Sequence, residues 1–278
     1  MPERVRVRIL GVGMGPAQVT PEVAEALRSV DYVLAADKGS EDGLLALRQA
    51  IVDAHTDGSV EVVPVRDPDR DRSTGLTDNG YQRAVADWHD ARAAAYADVL
   101  RERGGSAAFL VLGDPSLYDS TIRVVEKIQQ LGVPVEFDVL PGISAPQLLA
   151  ARHRIVLHDV GRPVHLTTGR LLQEAVAAGQ HNIVAMLNPP PDRLDLTGLD
   201  DWSVWWAANL GAMGERLVSG RLGDVAGQIA EARSQARADA GFVMDIYLLR
   251  RPCCGCCCWA ARRTPGRWPH GWSPTVST

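Results

Sequence analysis

From Val5 to Leu249 the chain alternates short apolar or β-branched runs with stretches of helical period, and this alternation limits its fold more than any other feature. The runs Val5–Val12, Tyr32–Ala36, Val60–Val65, Ala107–Leu112, Val133–Leu140, Val164–Thr167, Asn182–Leu187, Val204–Ala208 and Phe242–Leu249 read as strands. Pro21–Val30, Leu44–Val52, Tyr81–Arg103, Thr121–Gln130, Ala145–Arg152, Arg170–Ala177 and Asp224–Ala238 read as helices. This order predicts an α/β protein with largely parallel sheets. Nine strands are many for one simple doubly wound sheet, and a connection near Gly132–Pro134 divides them into two sets. The expected organisation is two α/β domains, residues 1–133 and 134–251, with a ligand cleft between them.

Composition narrows the functional classes. With 278 residues, 46% of them hydrophobic and 23% charged, the chain can bury a sizeable core. Its formal charge of −5 argues against a general nucleic-acid or anionic-membrane surface, while a local basic cleft stays compatible with it. The N-terminus Met1–Arg8 alternates charge with valine and lacks the apolar run of roughly 7 to 15 residues that a signal peptide requires. No apolar stretch reaches the roughly 18 residues of a membrane span. No cysteine precedes Cys253, which excludes a disulfide-stapled secreted domain and predicts a cytoplasmic protein.

Two segments stand apart. Residues 252–278 hold all five cysteines, three tryptophans, four prolines and no acid, with neither helical nor strand period. Cys253, Cys254, Cys256, Cys257 and Cys258 are too crowded for paired zinc-ligand spacing, so an appended, unstructured tail and no metal site are expected. The stretch Arg66–Gly80 is polar and turn-rich and reads as a long loop within the first domain, of the kind that often serves function.

Three strand-to-helix turns carry the candidate chemistry. In Gly11-Val12-Gly13-Met14-Gly15-Pro16 the glycines permit a sharp turn, with Thr20 and Pro21 marking a helix start beyond it. Asp37 lies where a dinucleotide site would have its ribose-binding acid, but Pro16 stands at the third glycine of such a fingerprint and has no N–H for a pyrophosphate. Gly113-Asp114-Pro115-Ser116-Leu117-Tyr118 follows a buried strand and places a carboxylate at the usual ligand edge of a sheet. As an alternative, Asp114 caps the helix near Thr121. In Leu140-Pro141-Gly142-Ile143-Ser144-Ala145, Ser144 is placed to cap the next helix.

Together these three turns, in this order and spacing, resemble the tetrapyrrole methylases, methyltransferases of the cobalamin and sirohaem pathways that use S-adenosylmethionine. Asn182–Met186 and Trp206–Gly220 resemble later family segments, so that the likeness spans residues of about 4–251. Details are similar to the deacetylating precorrin-6A synthases: Ala36–Gly39, Arg66–Arg72, Gly113–Thr121, Ala150–Ile155, Thr167–Arg170 and Met244–Arg251. The first loop departs from the pattern, being one residue short with Met14 where many members have proline.

The resemblance implies two α/β domains with the cofactor folded into the cleft between them, and a homodimer. It implies methyl transfer to carbon 1 of precorrin-5 with loss of the carbon 20 acetyl group as acetate. By position, Gly113, Asp114, Leu117, Ser144, Ala145, Met186, Leu210 and Gly211 match the cofactor loops. Arg66, Arg70, Arg72, Arg152 and Arg170 sit at predicted loop edges and are candidates for the substrate carboxylates. Asp37, Asp119, His153 and His158 are candidate bases for acetate release, with Asp37 beside Tyr118 preferred; the substrate's own electronics could also drive that loss. Core packing remains the alternative for Met186, a solvated surface position for each arginine, and another precorrin or uroporphyrinogen methyltransferase of the same family, a non-catalytic tetrapyrrole carrier or a metal-handling tail for the whole chain.

Overall fold

A computed structural model describes residues 4–37, 39, 43–68, 78–190 and 193–252; for residues 78–82 and 85 only the backbone is described. Arg70 and Arg72, the middle of the long loop, and the cysteines of the tail lie outside the described residues.

Among the described residues, ten strands form two five-stranded sheets. The first contains β1 (Val5–Gly11), β2 (Tyr32–Asp37), β3 (Glu61–Arg66), β4 (Ser106–Val111) and β5 (Val135–Leu140), all parallel, in the order β3-β2-β4-β1-β5. Helices α1 (Pro21–Arg28) and α2 (Gly43–His55) cover one face, packing Val23, Leu27, Ile51 and Val52 on Leu10 and Val33. Helices α3 (Asp78–Arg103) and α4 (Thr121–Gln130) cover the other, packing Tyr96, Leu100, Val125 and Ile128 on Val7, Ile9 and Phe109. Burial on both faces explains why β2 and β4 are apolar almost throughout, whereas β1, β3 and β5 also carry exposed, charged positions.

Neighbouring strands β1 and β4 send their onward connections to opposite faces, β1 to α1 and β4 to α4. Where two adjacent connections diverge in this way, a crevice opens at the carboxyl edge of the sheet.

After α5 (Ala145–His153) the chain builds the second sheet from β6 (His165–Thr168), β7 (Asn182–Met186), β8 (Ser203–Ala208), β9 (Arg216–Arg221) and β10 (Asp245–Arg250). Their order is β6-β7-β10-β8-β9, and only β6 and β7 run parallel. The expectation of largely parallel sheets therefore holds for the first sheet and is corrected for the second. A short connection makes β8 and β9 a hairpin, and β10 returns after α7 (Leu222–Ala240) to pair antiparallel with both β7 and β8. Helices α6 (Leu172–Ala177) and α7 bury Leu172, Ala175, Val225 and Ile229 with Trp206, Tyr247 and Leu249. The strands change sheets after Leu140, since β5 pairs with β1, whereas the sequence reading set its boundary at 133/134.

A further apolar cluster joins the two halves: Met14, Ala145, Leu148 and Leu149 meet Val184, Ala207, Leu210, Ile246 and Leu248. Among the described residues, no helix is long and apolar enough to cross a membrane, and no group of His, Cys, Asp or Glu is arranged to hold a metal.

Candidate functional site

The three glycine-bearing turns leave the adjacent strands β1, β4 and β5 and lock together at the carboxyl edge. Gly13 and Gly113 exchange backbone hydrogen bonds, at 3.3 Å from Gly13 N–H to Gly113 O and 2.7 Å in return. A Cβ on Gly142 would lie 2.2 Å from the Gly113 carbonyl oxygen and 2.5 Å from the Gly11 carbonyl carbon. Three backbones thus meet where any side chain would force them apart. The chain then passes through one 3-10 turn, Pro16–Gln18, before α1 begins at Pro21 under a Thr20 cap. No α-helix N-terminus follows Gly15 directly, so the arrangement on which a dinucleotide pyrophosphate rests is missing here.

Asp114 ties this junction together. One carboxylate oxygen accepts from the Gly142 N–H at 3.0 Å and the other from the Ser116 N–H at 2.9 Å and from the Ser116 hydroxyl. Partial burial pushes its pKa upward, but these three donors outweigh burial and hold the carboxyl below its ordinary range. The capping role near Thr121 belongs instead to Asp119, whose Oδ1 accepts the Thr121 N–H at 2.6 Å. Ser144 caps α5 as expected: Gln147 Oε1 accepts from its N–H at 2.9 Å and from its hydroxyl at 2.8 Å.

The second half reaches the same place. Gly15 and Gly211 cross so closely that a Cβ on Gly15 would lie 1.9 Å from the Gly211 carbonyl oxygen. Met14, Ala145, Leu210 and the partly buried Met186 belong to one apolar cluster, so positions from four loops share a floor. Ala145, Met186, Leu210 and Gly211 are thereby brought together with Gly113, Asp114 and Ser144. Leu117 is half-buried in the same Gly113–Tyr118 turn, its N–H on Asp114 O at 3.1 Å.

Backbone strain marks the same loops. Among the described residues, four non-glycine residues have positive φ: Tyr118 (51°), Arg154 (56°), Leu187 (50°) and Asn209 (49°). Arg154 caps the C-terminus of α5. The other three directly adjoin Leu117, Met186 and Leu210. Asn209 is held by hydrogen bonds to Ala236 O, Phe242 O and Met244 N–H. Tyr118 and Leu187 are 43% and 64% exposed, so their strain is not matched by burial of their side chains.

Asp37 ends β2, next to β4, and its Oδ1 accepts the Gly39 N–H at 2.8 Å. It therefore opens on the same sheet edge as Tyr118. Burial holds the Tyr118 phenol above its ordinary pKa, which leaves it protonated and able to donate. His153 is turned away: its Nε2 lies 3.0 Å from Trp206 O, and burial lowers its pKa. His158 is exposed against the carbonyl of its neighbour Asp159.

Arg66 is exposed at the end of β3, in register with Asp37. Arg170 is exposed immediately after Gly169, whose missing side chain admits Asn188 Oδ1 at 2.5 Å from its Cβ position. Arg152 has a protein partner, Glu215, with Nε 2.9 Å from its carboxylate.

Sequence reading missed several residues that shape the site. Asp245, 3% exposed, accepts from Arg233 Nε at 2.9 Å, from Trp206 Nε1 at 3.3 Å and from Asn188 Nδ2 at 3.3 Å. Asp67 forms a two-pronged pair with Arg92, at 2.8 and 2.7 Å, and the Arg92 guanidinium lies 3.9 Å above the Trp88 ring. Gln18 Oε1, Thr168 Oγ1 and Asn188 Oδ1 are buried without hydrogen-bond partners among the described residues. Asp67, Thr168 and Asp245 fall within stretches singled out from the sequence, Arg66–Arg72, Thr167–Arg170 and Met244–Arg251, while Gln18, Asn188 and Arg92 had no such signal.

Residues 6–226 match the family model described as tetrapyrrole (corrin/porphyrin) methylases. A precorrin-6A synthase (deacetylating) from Sinorhizobium sp is 39% identical over 257 residues, covering 88% of this chain and 95% of that protein. The crystal structure of a cobalamin synthesis related protein (CobF) from Corynebacterium diphtheriae is 36% identical, with a TM-score of 0.73 over 89% of this chain and 99% of that one. The fold is shared with uroporphyrin-III C-methyl transferase from Thermus thermophilus in complex with S-adenyl homocysteine, at 18% identity, a TM-score of 0.55 and coverage of 87% and 91%. With most of its length matched, the chain belongs to the tetrapyrrole methylase family.

Proposed function

We propose that this protein is an S-adenosylmethionine-dependent C-methyltransferase of cobalamin biosynthesis. It methylates carbon 1 of precorrin-5 and releases the carbon 20 acetyl group as acetate, giving precorrin-6A and S-adenosylhomocysteine. The observation that carries the reading is the convergence of the Gly113–Asp114, Gly142–Ser144, Met186 and Leu210–Gly211 loops where the two halves meet. Its likeness to a relative bearing that activity in its name supports the choice of substrate.

The residues present fit the cofactor. Met14, Ala145, Leu210 and Met186 offer an apolar floor, and Gln18 Oε1 is an unpaired buried acceptor beside Gly15 and Gly211. When bound, S-adenosylmethionine supplies an electrophilic methyl group. The chain's part is positioning and exclusion of water, since displacement at a sulfonium needs alignment more than covalent help. Asp114 shapes the loops through its three hydrogen bonds. Gly113, Leu117, Ser144, Ala145, Met186, Leu210 and Gly211 line the cofactor position. Arg66, Arg70, Arg72 and Arg170 meet the substrate carboxylates. Asp37 orients the water that attacks the acetyl carbonyl, while the protonated Tyr118 donates to it. The enzyme works as a cytoplasmic homodimer, the state that the family resemblance implies.

Isothermal titration with S-adenosylhomocysteine tests the cofactor assignment. Saturable binding by the wild type, at least tenfold weaker in Asp114→Ala, and no binding of NAD are expected. NAD binding without S-adenosylhomocysteine binding overturns it. With precorrin-5 and methyl-labelled cofactor, one acetate released per methyl transferred is expected; label transfer without acetate limits the activity to methylation, and absence of transfer leaves a carrier.

A further inference from the structure

One of the five arginines assigned to the substrate from the sequence, Arg152, is bound to a carboxylate that itself holds a candidate cofactor loop. Glu215 Oε2 accepts the Gly211 N–H at 2.6 Å, and Arg152 Nε donates to both oxygens of the same carboxylate, at 2.9 and 3.2 Å. Gly211 adopts a φ of +70°, and its carbonyl oxygen faces Gly15 across the contact between the two halves of the molecule. Its N–H is therefore fixed by Glu215 while its C=O abuts the first loop. The preceding residue but one, Asn209, is buried at a φ of +49°.

Arg152 lies in the last turn of α5, the helix whose first turn begins at Ser144. The chain of contacts thus runs from the Ser144 loop, along α5, through Arg152 and Glu215, to Gly211. An isolated ion pair with side chains 37% and 27% exposed contributes little to global stability. A carboxylate hydrogen-bonded to one backbone N–H at a strained loop contributes instead to the geometry of that loop, because charge-assisted bonds are short and directional.

We infer that Glu215, oriented by Arg152, is a positioning residue that holds the Leu210–Gly211 loop in its cofactor-binding form, and that Arg152 does not bind the tetrapyrrole. The inference rests on the proposed S-adenosylmethionine site. Loss of Glu215 removes an acceptor from the Gly211 N–H and relaxes the loop before the cofactor arrives. Its effect falls on cofactor affinity, whereas a substrate-binding Arg152 would act on precorrin-5.

The full-length protein is titrated with S-adenosylhomocysteine as wild type, Glu215→Gln, Glu215→Ala, Arg152→Ala and the double variant Arg152→Ala/Glu215→Ala. Glu215→Ala is expected to weaken binding by about tenfold, the scale of one charge-assisted hydrogen bond. Glu215→Gln keeps an acceptor for Gly211 and is expected to lose less, and the double variant is expected to bind no more weakly than Glu215→Ala, since both substitutions break one linkage. In steady state the KM for S-adenosylmethionine rises with kcat and the precorrin-5 KM within twofold of wild type. Unchanged affinity in Glu215→Ala, or an Arg152→Ala effect confined to the precorrin-5 KM, overturns the inference. Thermal unfolding of Glu215→Gln and Arg152→Ala separates a local effect from loss of the fold. Failure of the wild type to bind S-adenosylhomocysteine would sink the proposed site itself, an outcome distinct from equal binding by wild type and variants.

Discussion

Asp114 was legible in the sequence as a carboxylate at a strand end, but its function was not, because one of its three donors, the Gly142 N–H, lies on another loop. Gly142 follows β5, 28 positions along, and only the pairing of β5 with β1 brings its N–H within reach. With the carboxyl held below its ordinary pKa, Asp114 stabilises the fold above about pH 4, and that contribution disappears as pH falls through the lowered folded value. Asp114→Ala is therefore expected to cost about 1–3 kcal/mol near pH 7, with the gap to wild type closing below pH 4. Urea unfolding of both proteins across this range checks it, and a gap that stays constant in acid would assign the stability to packing instead. Leu187 had no local signal at all, since nothing in the run Asn182–Leu187 announces a φ of +50°. Asparagine tolerates that conformation better, and a side chain already 64% exposed leaves no cavity. Leu187→Asn is expected to leave the melting temperature within about 2 °C of wild type. If Leu187 meets the apolar face of the macrocycle, the same variant raises the precorrin-5 KM by about tenfold with S-adenosylhomocysteine affinity unchanged. Equal KM values would reduce Leu187 to a strained surface residue.

At the level of elements, legibility follows burial. Strands β2 and β4, covered on both faces, were announced by apolar runs, β1, β3 and β5 by β-branched runs broken by charge, and Pro21 and Ser144 marked the starts of α1 and α5. Strand β9 went unread because it lies at a sheet edge, pairs only with β8 and exposes nearly every side chain, leaving no apolar run to notice. The antiparallel placing of β10 was equally hidden: its residues Asp245–Arg250 read as a strand, while its partners are set by where α7 delivers the chain. Asp245, at the start of β10, shows what the placing achieves. It joins Arg233 on α7, Trp206 on β8 and Asn188 beyond β7, with side-chain exposures of 3% for Asp245 and 14% for Arg233. Removing one partner of such a buried pair leaves the other charge uncompensated. Asp245→Ala is expected to destabilise the protein by about 3–5 kcal/mol, with Arg233→Met/Asp245→Leu recovering part of the loss. Chemical denaturation checks it, and a cost below about 1 kcal/mol for Asp245→Ala would show that water reaches Arg233.

For the whole molecule, what brings the candidate cofactor loops together is the contact between the two halves, and only part of it could be read in advance. Met14 drew notice solely as a departure from a family pattern, yet it sits in the cluster that joins α5 to strands β7, β8 and β10. Backbone contacts reinforce this seam at Gly15 and Gly211, and they depend on approach distances that no residue pattern encodes. The last structural tie of the second sheet is the Arg251 N–H to His181 O hydrogen bond at 2.8 Å, one residue past β10. Among the described residues, every strand and helix, every apolar cluster and every candidate cofactor position lies before it. A chain ending at Pro252 is therefore expected to unfold cooperatively at the same temperature as the full chain and to bind S-adenosylhomocysteine with the same affinity. Methyl transfer by that shortened protein, in the presence of a chelator, is expected to match the full chain, because no thiolate enters the proposed chemistry. Lower melting or weaker binding would show that residues 253–278 complete the fold. Loss of turnover with binding intact, restored by metal only in the full chain, would instead move the cysteines into the mechanism.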